Sequence, residues 1–245
     1  ITPVAPTADP AESIGKQGQE QTGKPTFTPG NPAVPMNDDT PATFEDGKTT
    51  KTVDGVGTYT VSPDGTVTFV PEKTFTGEGT GVTVKRVDKN GTPVTAKYTP
   101  TVTAVTPTGE DKTTTGKQGQ VQKETVKFTE GDSEVPMKID ADQPAKFIDP
   151  TTGEPTDETT LPAMKDGKQV GTYTINPTTG EVTFTPNKDF VGTPVPATVQ
   201  AKDANGTPAT ATYTPTVKPV TPIGKVAFTE DIQGATQSGK PAFEG

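Results

Sequence analysis

The chain has 245 residues, a net charge of −9 and a sequence pI of about 4.6, so it repels phosphate, and nucleic acid and anionic membrane surfaces are disfavoured as partners. It contains no cysteine and no histidine, which removes disulfides, thiolate metal sites, a cysteine nucleophile and the commonest acid–base side chain. No apolar run approaches the roughly 18 residues a membrane helix needs, and residues 1–7 lack the basic start and apolar core of a signal peptide.

The apolar content is low. Leu, Ile, Val and Phe make up 42 of 245 residues, below the roughly 20% under which a charged chain stays disordered. Only the arrangement of these residues decides between a folded and a disordered chain.

In chain order, Gly15-Lys-Gln-Gly-Gln19 reads as a flexible lead-in to the first strand. Phe27, Val34 and Phe44 mark the early strands. Over residues 58–62, Tyr59 and Val61 alternate with hydroxyl residues, and over 66–70 Val67 and Phe69 do the same. This period of two puts the apolar set on one face of a strand. Ser62-Pro-Asp-Gly65 supplies the turn between the two strands. A further strand over 82–87 leads into Asp88-Lys-Asn-Gly91, and Asn-Gly is a strong hairpin signal because both residues accept positive φ. The returning strand runs from about 94 to 102 with Tyr98 inward. No stretch carries a helical stripe.

The pattern then recurs. Gly15-Lys-Gln-Gly-Gln19 returns as Gly116-Lys-Gln-Gly-Gln120, and Val34-Pro-Met36 as Val135-Pro-Met137. Gly57-Thr-Tyr-Thr-Val61 matches Gly171-Thr-Tyr-Thr-Ile175, and Tyr98-Thr-Pro-Thr-Val102 matches Tyr213-Thr-Pro-Thr-Val217. A third echo of Thr22-Gly-Lys-Pro-Thr-Phe27 stands at Gln237-Ser-Gly-Lys-Pro-Ala-Phe243. The extra residues of the second copy centre on the turn-rich stretch 149–156, and Pro194 and Pro196 demote its late strand to an edge or an irregular stretch. Apolar positions keep their kind while the polar positions between them change, which is the mark of a buried face. The expectation is an all-β chain of two tandem immunoglobulin-like β-sandwiches of about six or seven short strands each, with the truncated start of a third. The organisation reads as linker 1–18, repeat module 19–105, linker 106–119, repeat module 120–220, then linker and third-repeat start over 221–245.

The run over residues 57–77, with the later Asn90-Gly-Thr-Pro93 and Tyr98-Thr-Pro-Thr-Val102 stretches, resembles the fibril repeat of CshA-type fibrillar adhesins of Gram-positive bacteria. In that family a non-repetitive N-terminal region carries ligand binding, an array of repeats forms the stalk, and a C-terminal sortase signal anchors the chain to peptidoglycan. The resemblance therefore implies an extracellular, cell-wall-anchored stalk. Its partners are the neighbouring repeats and, through the parent adhesin, host surface proteins or other bacteria.

Chemistry weighs little beside this reading. Asp88-Lys-Asn-Gly91 and Asp203-Ala-Asn-Gly206 offer a calcium ligand pattern, yet each supplies one carboxylate where calcium takes six to eight oxygens, and Asn-Gly turns explain the spacing. Asp38-Asp39 and the Asp140/Asp142 pair read as solvated turns rather than glycosidase carboxylates. Lys97 and Lys127 are candidates for an isopeptide bond or for plain exposed lysines, because no strand lysine persists in both copies. Leu161-Pro-Ala-Met-Lys165 lacks the Thr and Gly of a sortase signal. No catalytic residue, metal ligand or cofactor is assigned. The expected function is a serial mechanical spacer that lengthens under load, and the alternative is a module whose repeats themselves bind protein, glycan or identical repeats.

Overall fold

The computed structural model describes residues 4–244; residues 1–3, at the start of the expected first linker, and Gly245 lie outside the described residues. Two compact units form, one built mainly on residues up to 107 and the other mainly on residues from 108 onward. Among the described residues every regular element is a strand.

In the first unit the strands are β1 (Thr7–Asp9), β2 (Ala11–Lys16), β3 (Gln21–Gly23), β4 (Thr26–Thr28), β5 (Thr43–Phe44), β6 (Thr50–Val53), β7 (Gly57–Val61), β8 (Val67–Pro71), β9 (Gly77–Glu78), β10 (Val82–Val87) and β11 (Pro93–Thr103). One sheet has the order β2-β11-β10-β5, with β9 added on β11; the other has the order β3-β8-β7-β6, and β1 pairs with β4 alone. The alternation of β7 and β8 buries Tyr59, Val61, Val67 and Phe69, which face Phe44, Val82, Val84, Tyr98 and Val102 of the other sheet. Tyr59 stacks on Phe69 with ring centroids 4.6 Å apart and meets Tyr98 edge-on at 6.5 Å. Such aromatic pairs concentrate buried area in few residues, so a lean composition still closes a core. The expected hairpins are both present. Ser62 and Thr66 bond across the β7–β8 turn with Gly65 at φ 89°, and β10 returns into β11 with Val87 opposite Pro93.

The second unit repeats the plan with β12 (Thr108–Glu110), β13 (Lys112–Lys117), β14 (Gln122–Thr125), β15 (Lys127–Thr129), β16 (Met137–Lys138), β17 (Lys146–Ile148), β18 (Pro155–Thr156), β19 (Thr160–Lys165), β20 (Lys168–Ile175), β21 (Glu181–Pro186), β22 (Ala197–Asp203) and β23 (Pro208–Lys218). Its sheets have the orders β13-β23-β22-β17-β18 and β14-β21-β20-β19, with β16 on β22 and β12 paired to β15. Tyr173, Ile175, Val182 and Phe184 face Phe147, Val199, Tyr213 and Val217. Beyond it, β24 (Ile223–Lys225) pairs with β25 (Ala242–Glu244), in the same way as β1 with β4 and β12 with β15.

The structure departs from the sequence reading at several points. Each sandwich holds more strands than six or seven, because short hydroxyl-rich segments pair without any apolar signature. Residues 7–16 and 108–117, expected as linker, form β1, β2, β12 and β13. Gly15-Lys-Gln-Gly-Gln19 is the end of β2 and a tight turn rather than a flexible lead-in: the Gln19 N–H donates to the Lys16 carbonyl at 3.0 Å. Val34 lies in a turn bridged to Asn31, not in a strand. The 149–156 insertion folds back on itself, with Ile148 opposite Pro155, and residues 193–196 are irregular as Pro194 and Pro196 require.

Phe69→Ala removes a fully buried ring and is expected to cost about 3–5 kcal/mol, against less than about 0.5 kcal/mol for Val70→Ala on the exposed face of the same strand. Urea denaturation followed by far-UV circular dichroism measures both.

Candidate functional site

In each unit the first long strand pairs in parallel with the last. Ala11 lies opposite Tyr98 and Lys16 opposite Thr103, and the Gln17 N–H extends the ladder to the Thr103 carbonyl at 2.8 Å. The inward positions of β2 are Ala11, Ser13 and Gly15, while Ile14 points out and is 77% exposed. With so little to bury, β2 is held by polar groups.

After β2 the chain turns at Gly18, φ 79°, and β3 begins with Gln21, whose side chain reaches back beneath β2. Ser13 Oγ donates to Gln21 Oε1 at 2.6 Å and Gln21 Nε2 donates to the Thr101 carbonyl at 3.1 Å. Ser13 Oγ is also 2.6 Å from the Tyr98 hydroxyl. A serine hydroxyl has one hydrogen, so Tyr98 is the donor in that bond. Gln21 stands opposite Phe69 in the second sheet, so its amide joins the two sheets as well as β2 and β11. Gly15 makes room for it: a Cβ there would lie 2.7 Å from Gln21 Cγ. Gln21 and Tyr98 are buried, and each polar atom of the network has a partner, which is the condition for a buried network to stabilise.

The second unit reproduces these contacts. Thr114 Oγ1 donates to Gln122 Oε1 at 2.5 Å, the Tyr213 hydroxyl is 2.7 Å from Thr114 Oγ1, and Gln122 Nε2 donates to the Thr216 carbonyl at 3.1 Å. Lys112 opposite Tyr213 and Lys117 opposite Lys218 bound the parallel pair, and Gly116 again clears space for the glutamine. Past the second unit, at the positions matching Ser13 and Gln21, the exposed Thr229 Oγ1 and Gln237 amide are 2.7 Å apart. The Gly-Lys-Gln-Gly-Gln and Tyr-Thr-Pro-Thr-Val repeats stand in the sequence, but the network that joins them has no apolar signature there. The signal was the shift of 101 that carries Ser13 to Thr114 and Gln21 to Gln122.

The residues weighed for chemistry are not brought together. Asp88 Oδ1 accepts from the Asn90 and Thr92 N–H groups at 2.9 and 2.8 Å, and Asp203 Oδ1 from Asn205 and Thr207 at 2.9 Å each, so these carboxylates brace their own Asn-Gly turns. Asp38 pairs with Arg86 and Asp39 with Lys89, each at 2.7 Å. Asp140 Oδ1 accepts from its own loop at Asp142 and Gln143. Lys97 and Lys127 are exposed, whereas an isopeptide bond needs a buried lysine. Leu161-Pro-Ala-Met-Lys165 is strand β19. The two units also differ on one matching surface. In the first, a cavity of about 360 Å³ is lined by Glu45, Asp46, Lys51 and Lys97; in the second, one of about 300 Å³ is lined by Ile148, Leu161, Met164 and Val195.

Two tandem sandwiches, each closed by the same buried network, define an array of β-sandwich repeats. The family model for the surface adhesin CshA repetitive domain matches residues 3–102 and again 104–217, and the chain belongs to that family. The NMR structure of repeat domain 13 of the fibrillar adhesin CshA from Streptococcus gordonii is 61% identical over 29% of this chain and 90% of that one, with a TM-score of 0.18. The I9–I11 tandem of titin is 10% identical, covering 88% of this chain and 66% of that one at a TM-score of 0.32. Cadherin domains 1–4 of protocadherin gamma B7 are 12% identical, covering 94% of this chain at a TM-score of 0.30, and this chain spans 55% of theirs. No curated protein matches. The chain is thus an adhesin repeat of an extracellular surface protein, and its family and fold point to a structural rather than an enzymatic domain. No helix among the described residues is long and apolar enough to cross a membrane.

The network makes stability depend on alkaline pH. Burial holds the phenols of Tyr98 and Tyr213 above their ordinary value of 10.0, against a smaller downward pull from the Ser13 and Thr114 hydroxyls. A phenol whose folded pKa is raised stabilises fully below the unfolded pKa, and that stability is lost as pH rises beyond it. The melting temperature is expected to fall above pH about 10, and Tyr98→Phe with Tyr213→Phe reduces that fall without removing it, because burial also raises the Tyr173 phenol outside the network, while costing about 1–3 kcal/mol per unit at neutral pH. At the acid end Asp64 is held down to about 2, first by the Thr66 N–H and then by Lys24, so its contribution is present above 3.8 and is lost as pH falls toward 2. Asp64→Asn removes that segment of the acid limb. Thermal melts across pH measure both ends.

Proposed function

We propose that the chain is a length of stalk, a serial mechanical spacer that projects an adhesive tip from a cell wall to which it is anchored by a region outside these residues. One observation carries the reading: the core and its buried network recur between the copies, and the matching surface cavity does not. The aromatic core and the Ser13/Thr114–glutamine–tyrosine network are kept, whereas the matching surface cavity changes from charged to apolar. Selection for a common ligand would keep a surface, and selection for a folded bead keeps an interior. Module boundaries are proposed at 104–107 and 219–222, placing β1, β2, β12 and β13 inside the modules.

The partners proposed for the array are its own neighbouring repeats, with host proteins or other bacteria reached through the parent adhesin. The immobilised chain is expected to show no saturable binding to host-cell surfaces that a longer chain carrying the tip does bind. Saturable binding by these residues alone, read by surface plasmon resonance or cell capture, supports the reading in which the repeats themselves are the adhesive.

A further inference from the structure

We propose that the parallel pair β2–β11, and its counterpart β13–β23, is a shear clamp that bears the load in each repeat, with the buried Ser/Thr–Gln–Tyr network as its cross-bolt. The proposal rests on the spacer reading and adds to it the element that resists force.

Because β2 and β11 run in the same direction, the chain enters at one end of the ladder, beside Ala11 and Tyr98, and leaves at the other, beside Lys16 and Thr103. Tension on the two chain ends therefore drives the strands past each other along their length. All the pairs from Ala11–Tyr98 to Lys16–Thr103 are loaded together, so none yields until several yield at once. In antiparallel neighbours such as β10 and β11, pulling at the open end strips bonds singly. The network lies across the slip direction. Sliding β2 by one residue breaks the Ser13–Tyr98 and Ser13–Gln21 bonds and drives the Gly15 backbone past the Gln21 side chain, which already fills the space a Cβ would need. The exit is tied as well: Gln17 Oε1 accepts from the Val105 N–H at 3.1 Å and Gln17 Nε2 donates to the Lys73 carbonyl at 2.8 Å. The second unit has the same parallel pair and the same cross-bolt. A lean core sets a modest unfolding free energy, while strand direction sets the force needed to reach it, so a marginal bead can still be a strong link.

The absence of cysteine allows handles to be placed at will. Single-molecule stretching of the full chain from its two ends is compared with stretching through Glu12→Cys and Lys97→Cys, which lie at one end of the ladder and peel it. End-to-end pulling is expected to rupture each unit at a clearly higher force than peeling ruptures the first. Tyr98→Phe with Tyr213→Phe is expected to lower the end-to-end force more than Val61→Ala with Ile175→Ala, compared at matched loss of equilibrium stability, and to leave the peeling force nearly unchanged. Equal forces in the two geometries, or equal effects of the two variant pairs, overturn the clamp and leave the spacer standing. An end-to-end trace without any rupture overturns the folded spacer itself.

Discussion

The first long strand of each unit has almost nothing apolar to bury. β2 turns Ala11, Ser13 and Gly15 inward and leaves Ile14 in solvent. Hydrophobic patterning alone would favour the register one residue away, with Ile14 inside, because a slip of one exchanges the two faces of a strand. What fixes the observed register is the hydrogen-bonded line from Tyr98 through Ser13 to Gln21 and on to the Thr101 carbonyl. A neighbouring register would bury these groups without partners, at about 1–3 kcal/mol for each neutral group left unsatisfied. The last strand, the first strand and the second sheet meet at that line, and the remainder of the sandwich is arranged around it.

The core then needs few residues. Four tyrosines, two in each unit, occupy the centre, where each pairs with a ring from the facing sheet or its own. Their hydroxyls differ in role. Tyr98 and Tyr213 serve the network, whereas Tyr59 accepts from the Gly81 N–H and Tyr173 donates to the Val195 carbonyl, fastening the irregular segments before β10 and β22. A sequence with about one sixth of its residues drawn from Leu, Ile, Val and Phe can fold this way because each tyrosine combines large buried area with a directed bond. The acidic, hydroxyl-rich remainder largely faces water, and the matching surface cavities of the two units differ in character.

Much of this was legible in the sequence, and the boundary of legibility has a physical cause. Strands β7, β8, β10 and β11 and both hairpins follow from period-two alternation and turn chemistry, and Tyr59, Val67, Phe69 and Tyr98 are buried where alternation puts them. Segments that pair through backbone and hydroxyl groups look like linker in the sequence, because a strand such as Lys112–Lys117 carries no apolar residue to announce it. The glutamines were invisible for a related reason. A buried Gln21 or Gln122 differs from a surface glutamine only in its partners, and those lie about 80 residues or more along the chain in Thr101 and Thr216.

Amide hydrogen exchange by NMR reads out whether the parallel pair closes each unit. If the parallel pair closes each unit, the amides of the edge strands β2 and β13 that donate to β11 and β23 exchange only with global unfolding, as slowly as the paired amides of β7, β8, β20 and β21. Exchange of residues 11–16 and 112–117 at the rate of an unstructured chain, while the hairpin strands remain protected, would contradict it. The first strand would then be a loose tether rather than the closure of the fold.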